Sequence, residues 1–232
     1  MVNFRVFLAA CLTLCMALVA TPTLANKLND WRISCGADKG AIKKQKGTWT
    51  FKTSSNHCPG GIFKQRAELA TRHVSPNIKG AYRFSTFVSM TTKSNEKFGI
   101  FQIHDGRLGC APPLKVDVRR DGRLELVSDV KTGPGESCVR GKLSRQVSRD
   151  ILRRDGTEQK LDILIEFNGT GSFKATIWID DKPQISGWYH PSTKANAWLP
   201  EKFFFKHGNY SQRVYDYVMT SRKMKVTKVK LK

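Results

Sequence analysis

The stretch LDILIEFNGTGSFKATIWI, Leu161 to Ile179, sets the fold class. Leu161, Ile163, Ile165 and Phe167 alternate with Asp162, Leu164 and Glu166. Beyond Asn168-Gly169-Thr170-Gly171, the apolar Phe173, Ala175, Ile177 and Ile179 alternate with Lys174, Thr176 and Trp178. Strand side chains point to opposite faces in turn, so this period predicts two half-buried strands, and the turn residues between them predict a hairpin. Arg120-Asp121-Gly122-Arg123 predicts a second hairpin, joining residues 114–118 to 124–127. Residues 82–90 alternate likewise, and residues 224–231 read as a final strand with a register break near Thr227. Helical periodicity is scarce. Many short strands between Gly, Asp and Pro turns point to an all-β sandwich or jelly roll. A chain of 232 residues without repeat or long linker is expected to form it as one domain.

The first 25 residues carry Arg5, an apolar run from Val6 to Ala20, and Thr23-Leu24-Ala25 before Asn26, the pattern of a cleaved signal peptide. The run is shorter than the about 20 residues a membrane span needs and is interrupted by Thr13. Residues 1–25 are therefore expected to be removed, leaving a domain over 26–232 that is secreted or periplasmic, has no membrane span and is monomeric. Export leaves Cys35, Cys58, Cys110 and Cys138, an even number suited to an oxidising compartment. Of three possible pairings, Cys35 with Cys58 and Cys110 with Cys138 each close a short loop and are favoured. No paired Cys-x-x-Cys spacing points to a metal, and no cofactor is expected.

The 40 Lys and Arg against 19 Asp and Glu give a net charge of +21, or +20 without Arg5. An exported protein this basic is expected to meet a polyanion. The Lys-rich stretch 222–232 has apolar residues at strand-like spacing and reads as a solvated edge strand, where lysines oppose unwanted pairing. No nucleic-acid-binding motif is present.

Three strand-like segments place polar residues on one face and apolar residues on the other. Lys64, Arg66 and Glu68 share a face. Gln102 and His104 project opposite Phe101 and Ile103. Lys206, Tyr210 and Gln212 share a face with Phe204 and Gly208, opposite Phe205 and His207. Taken together, Arg66-Ala67-Glu68-Leu69, Gln102-Ile103-His104 and the Phe204–Gln212 segment FFKHGNYSQ resemble, in order, the motif strands of the jelly-roll alginate lyases and their glucuronan and heparin lyase relatives. The resemblance implies a concanavalin-like β-jelly roll sandwich of two antiparallel sheets. Two positions depart from it: Ala70 stands where alginate lyases usually carry a further substrate-binding arginine, and Phe204 where the third motif begins with tyrosine.

The family's chemistry is β-elimination at a uronic acid. The proton on carbon 5 becomes acidic only when the neighbouring carboxylate is neutralised, a role the resemblance gives to Arg66 and Gln102. A base then takes that proton while an acid protonates the departing oxygen on carbon 4, each transfer typically contributing about 10²–10⁴-fold. The resemblance makes Tyr210 the acid and, for one substrate stereochemistry, also the base, with His104 as base or charge neutraliser for the other. Lys206, Gln212, Lys64 and Glu68 are the expected substrate-binding side chains, Glu68 by orienting Arg66 or Lys206.

Taken singly, these residues have plainer readings. Arg66 beside Glu68 would be a surface ion pair worth at most about 1 kcal/mol. His57, His73, His190 and His207 are read as structural or exposed, and Tyr82, Tyr215 and Tyr217 as packing residues. A glycoside hydrolase using Asp162 and Glu166 is disfavoured, because residues four apart on a strand lie about 13 Å apart and a retaining pair needs about 5–5.5 Å. A non-catalytic lectin-like module holding acidic polysaccharide is the remaining alternative, which His104 with Tyr210 speaks against.

Overall fold

The computed structural model describes residues 27–145, 151–193 and 198–230. The leader segment, residues 1–25, lies outside the described residues. After a 3₁₀ turn at Lys27–Asn29, the described residues form fourteen strands: β1 (Arg32–Ile33), β2 (Ile42–Gln45), β3 (Thr48–Lys52), β4 (Gln65–Ala70), β5 (Lys79–Thr91), β6 (Phe98–His104), β7 (Leu114–Val118), β8 (Leu124–Lys131), β9 (Cys138–Arg145), β10 (Gln159–Asn168), β11 (Phe173–Ile179), β12 (Lys182–Tyr189), β13 (Phe204–Ser211) and β14 (Val218–Val229).

The Leu161–Ile179 stretch is the β10–β11 hairpin, with Leu161 opposite Ile179 and Phe167 opposite Phe173. Its turn is tied by Asn168 Oδ1, which accepts from Thr170 N at 2.8 Å and from Thr170 Oγ1 at 2.9 Å. The apolar members of both strands are buried, each Leu, Ile or Phe among them contributing on the order of 1.5–3 kcal/mol. The second predicted hairpin is β7–β8, and residues 82–90 fall within β5.

The strands make two seven-stranded antiparallel sheets, ordered β1-β4-β13-β6-β7-β8-β9 and β12-β11-β10-β5-β14-β3-β2. Their inner faces enclose one core in which Phe167 of the second sheet stacks on Phe205 of the first, centroids 6.4 Å apart. This is the antiparallel jelly-roll sandwich that the sequence predicts. Both favoured disulfides are present: Cys35–Cys58 joins the β1–β2 and β3–β4 connections, and Cys110–Cys138 links the β6–β7 connection to the start of β9.

The basic tail is an edge strand beyond Arg222, as expected, while the start of the strand and its register break are corrected. β14 is an inner strand from Val218 to Arg222, between β3 and β5, and only beyond Arg222 is β5 its sole partner. The register shifts between Arg222 and Lys225, at Lys223 (φ 54°), rather than near Thr227. The bulge is what returns Val226 to the core after the polar stretch. The free edge is partly capped where Val226 N donates to Asn29 Oδ1 at 2.7 Å. Leu231 and Lys232 lie outside the described residues. Asp162 and Glu166 point away from the core of the second sheet, opposite the side that Ile163 and Ile165 bury, and Asp162 is held by Ser85 and by Lys160 at 3.4 Å.

Candidate active site

The three motif strands are neighbours in one sheet, β13 lying between β4 and β6. Tyr210 faces Arg66, Gly208 faces Glu68 and Lys206 faces Ala70 on one side. On the other, Lys206 faces Gln102 and Phe204 faces His104. Ala67, Leu69, Phe101, Ile103 and Phe205 fill the core, so alternation sends Arg66, Glu68, Gln102, His104, Lys206 and Tyr210 to the opposite, open face. Gly208 has φ 149°, and a Cβ there would lie 2.1 Å from the Ala67 carbonyl oxygen, so β13 can approach β4 this closely only with glycine.

Contacts link the open face without a break. The Arg66 guanidinium lies 4.6 Å from the Tyr210 ring centroid. Its Nε is 3.4 Å from Glu68 Oε2 and its Nη1 3.6 Å from Cys35 Sγ. Glu68 Oε1 accepts from Gln102 Nε2, and Gln102 Oε1 lies 2.9 Å from His104 Nε2. The imidazole stacks on Phe204, centroids 5.1 Å apart. The Arg66–Glu68 pair is therefore not a surface pair: the side chains are only 7% and 1% exposed. Breaking such a buried pair leaves an uncompensated charge, which costs far more than loss of a surface pair.

Burial, then the cations Lys206 and Arg66, hold the His104 pKa well below the usual histidine value. The ring is neutral at neutral pH and able to accept a proton. Burial also lowers the Lys206 pKa; Glu68 opposes that shift and Arg66 adds to it. Tyr210 is half-buried, stacked on Phe63 at 4.7 Å, with its hydroxyl 3.4 Å from the Phe63 amide nitrogen. Lys64 and Gln212 sit just outside the strands and are exposed, and among the described residues neither forms a hydrogen bond or ion pair with the cluster.

His207 is structural, as expected. It is fully buried, with Nδ1 3.0 Å from the Ile100 carbonyl oxygen and Nε2 2.6 Å from Ser221 Oγ of the facing sheet. Desolvation brings its pKa down to about 4. Asn209 is buried and donates to the Tyr215 hydroxyl at 2.8 Å, which leaves no room for a glycan at this Asn-x-Ser sequence.

A second set of polar residues, outside the three motifs, lies on the same face. Lys115 of β7 faces Gln102, and its Nζ lies 4.8 Å over the Phe63 ring. Lys97 Nζ stands 2.8 Å from Asp117 and 2.9 Å from Glu125, and Lys142 Nζ 3.2 Å from Glu125. The signal was available: β7 alternates Lys115-Val116-Asp117-Val118, and a strand pairing with β6 must continue its polar face. The cluster is largely covered: Arg66, Glu68, Gln102 and Lys206 are buried, and His104 and Tyr210 are its more accessible members. A depression of about 640 Å³ lies elsewhere, lined by Ile151, Arg153, Arg154 and Lys182, and contains no motif residue. Among the described residues no group of three or more His, Cys, Asp or Glu side chains is arranged to hold a metal.

No protein-family model matches the chain, and no curated protein matches its sequence. Solved structures do. An alginate lyase described as a member of polysaccharide lyase family 7 superposes with a TM-score of 0.58 at 16% identity, over 88% of this chain and 96% of its own. The alginate lyase from Pseudomonas aeruginosa gives 0.55 at 13% identity over 87% and 99%. That from Klebsiella pneumoniae gives 0.54 at 14% identity over 88% and 96%. At these identities the likeness is one of fold: this chain has the jelly roll of the alginate lyases across nearly the whole of their length.

Proposed function

We propose that the chain is a monomeric, exported polysaccharide lyase that cleaves a uronate-containing acidic polysaccharide, alginate-like or glucuronan-like, by β-elimination. The observation that carries this reading is the unbroken cluster of Arg66, Glu68, Gln102 and His104, with Tyr210 and Lys206, on one open face of adjoining strands. A plain binding face has no need of a neutral, desolvated histidine beside two cations.

In the reaction the sugar lies across β4, β13 and β6. Arg66 and an amide hydrogen of Gln102 bind the uronate carboxylate and stabilise the charge that develops when carbon 5 loses its proton. His104, kept neutral by burial and by Lys206 and Arg66, accepts that proton from one stereochemistry of uronate. Tyr210 donates its proton to the oxygen leaving carbon 4; for the other stereochemistry it acts as the phenolate, taking the carbon 5 proton and passing that same proton to the leaving oxygen. The electrons of the broken C5–H bond form the C4–C5 double bond as the C4–O bond breaks. Lys206 and Lys115 hold neighbouring carboxylates as charge partners. Export is supported by the leader pattern of residues 1–25 and by the two disulfides.

A lectin-like binding module is the second reading, favoured by one feature: Phe63 stacks on Tyr210 and its amide approaches the phenol oxygen. Incubation with alginate, glucuronan and heparin, read as ultraviolet absorbance of the new carboxylate-conjugated double bond, separates the two. Rising absorbance with at least one polymer is expected; binding without absorbance on the whole panel supports the lectin.

A further inference from the structure

We propose that Glu68 acts through Gln102 to decide which ring nitrogen of His104 carries its hydrogen, leaving Nδ1 as the proton-accepting atom. Glu68 is then a positioning residue. The catalytic consequence rests on the lyase reading, whereas the positioning itself does not.

A carboxylate can only accept hydrogen bonds, so Glu68 Oε1 selects the amide nitrogen of Gln102 as its partner. The same choice turns Gln102 Oε1 toward His104, whose Nε2 is 2.9 Å away. An amide oxygen also only accepts, so Nε2 must bear the hydrogen, and Nδ1 of the neutral ring keeps its lone pair. The reverse amide orientation would set two acceptors against each other at Glu68.

The surroundings hold each member in place. Arg66 Nε lies 3.4 Å from the other Glu68 oxygen, and the Phe204 ring fixes the imidazole plane. Glu68 and Gln102 stand on strands that are not adjacent, about 10 Å apart across β13. They meet because the β13 residue opposite Glu68 is Gly208, with no side chain to intervene. One amide hydrogen of Gln102 is left for the sugar carboxylate, so a single buried carboxylate sets both the carboxylate donor and the proton acceptor.

The test is ¹⁵N–¹H correlation spectroscopy of the imidazoles in the full mature protein at neutral pH, without substrate. The wild type is expected to show a neutral His104 protonated at Nε2. In Glu68→Gln, the cation of Arg66 attracts the new amide oxygen, so the new amide nitrogen faces Gln102. Gln102 then reverses and the His104 hydrogen moves to Nδ1, while exposed His57 is unchanged and serves as control. A wild-type hydrogen on Nδ1, or an unaltered His104 in Glu68→Gln, overturns the proposal. If that variant does not fold, Gln102→Leu is read instead: both tautomers should coexist, and one unaltered tautomer counts against the proposal. Under the lyase reading, kcat of Glu68→Gln falls about 10²-fold, and KM rises as well, because the reversed Gln102 no longer offers the same amide hydrogen to the sugar carboxylate. A tautomer shift without turnover in any form of the protein would overturn the lyase reading and uphold this one.

Discussion

His104 is neutral because burial and the cations Lys206 and Arg66 oppose its charging, and it is oriented because Gln102 and Phe204 hold two sides of the ring. Tyr210 is placed by Arg66 and Phe63 rather than by its strand alone. Tyr210→Phe and His104→Ala are therefore expected to lower kcat by about 10²–10⁴-fold while polymer binding, followed by calorimetry, stays within a few-fold; full activity in both would remove the site assignment. The residue types of this site were legible in the sequence, because Arg66, Gln102, His104, Lys206 and Tyr210 fall on polar faces by alternation alone. What alternation could not supply was burial. Taken alone, Arg66 beside Glu68 reads as a surface pair, because nothing local shows that Cys35 lies against Arg66 or that both side chains are buried. Lys64, placed by parity, and Gln212, placed by parity and by the third motif, lie one residue beyond β4 and β13, where alternation no longer fixes the side-chain direction.

At the scale of the element, β13 carries the account, since it sits between both partners and ties the two sheets together through His207. Its pKa of about 4 lies below the ordinary 6.5, so the unfolded chain binds more protons than the folded one between these values. Stability is complete above pH 6.5 and declines as pH falls toward 4, by about 3 kcal/mol from this residue, and His104 acts in the same direction. Denaturant unfolding across that range should show the decline, and His207→Gln should flatten it. Gly208→Ala is expected to destabilise the fold by roughly 1–3 kcal/mol, measured the same way, because its Cβ has no space against Ala67. The hairpins β7–β8 and β10–β11 were legible because turn chemistry and alternation agree. The edge portion of β14 was legible from its lysines, and its inner start was not. Its lysines suit an edge, but which strand lies beside Val218–Arg222 depends on β3, over 160 residues earlier in the chain.

For the whole molecule, each ion pair cancels one cation with one anion, so the net charge of +21, or +20 without Arg5, remains to face a polyanion. Association with an acidic polymer should weaken several-fold or more between low and physiological salt, as screening shortens the reach of the exposed lysines; salt-independent affinity would deny the charge its role. The fold was legible because strand periodicity and turn residues point to a sandwich and the motif resemblance to a jelly roll, and the structural likeness to alginate lyases agrees. Charge alone names a polyanion and no chemistry. The chemistry rests on elimination, and the mass of the products decides it. Digests of uronate polymers analysed by mass spectrometry should contain oligosaccharides lighter by one water than hydrolysis would give, absent with Tyr210→Phe. Products carrying the full mass of hydrolysis, or an intact polymer that nonetheless binds, would contradict the account.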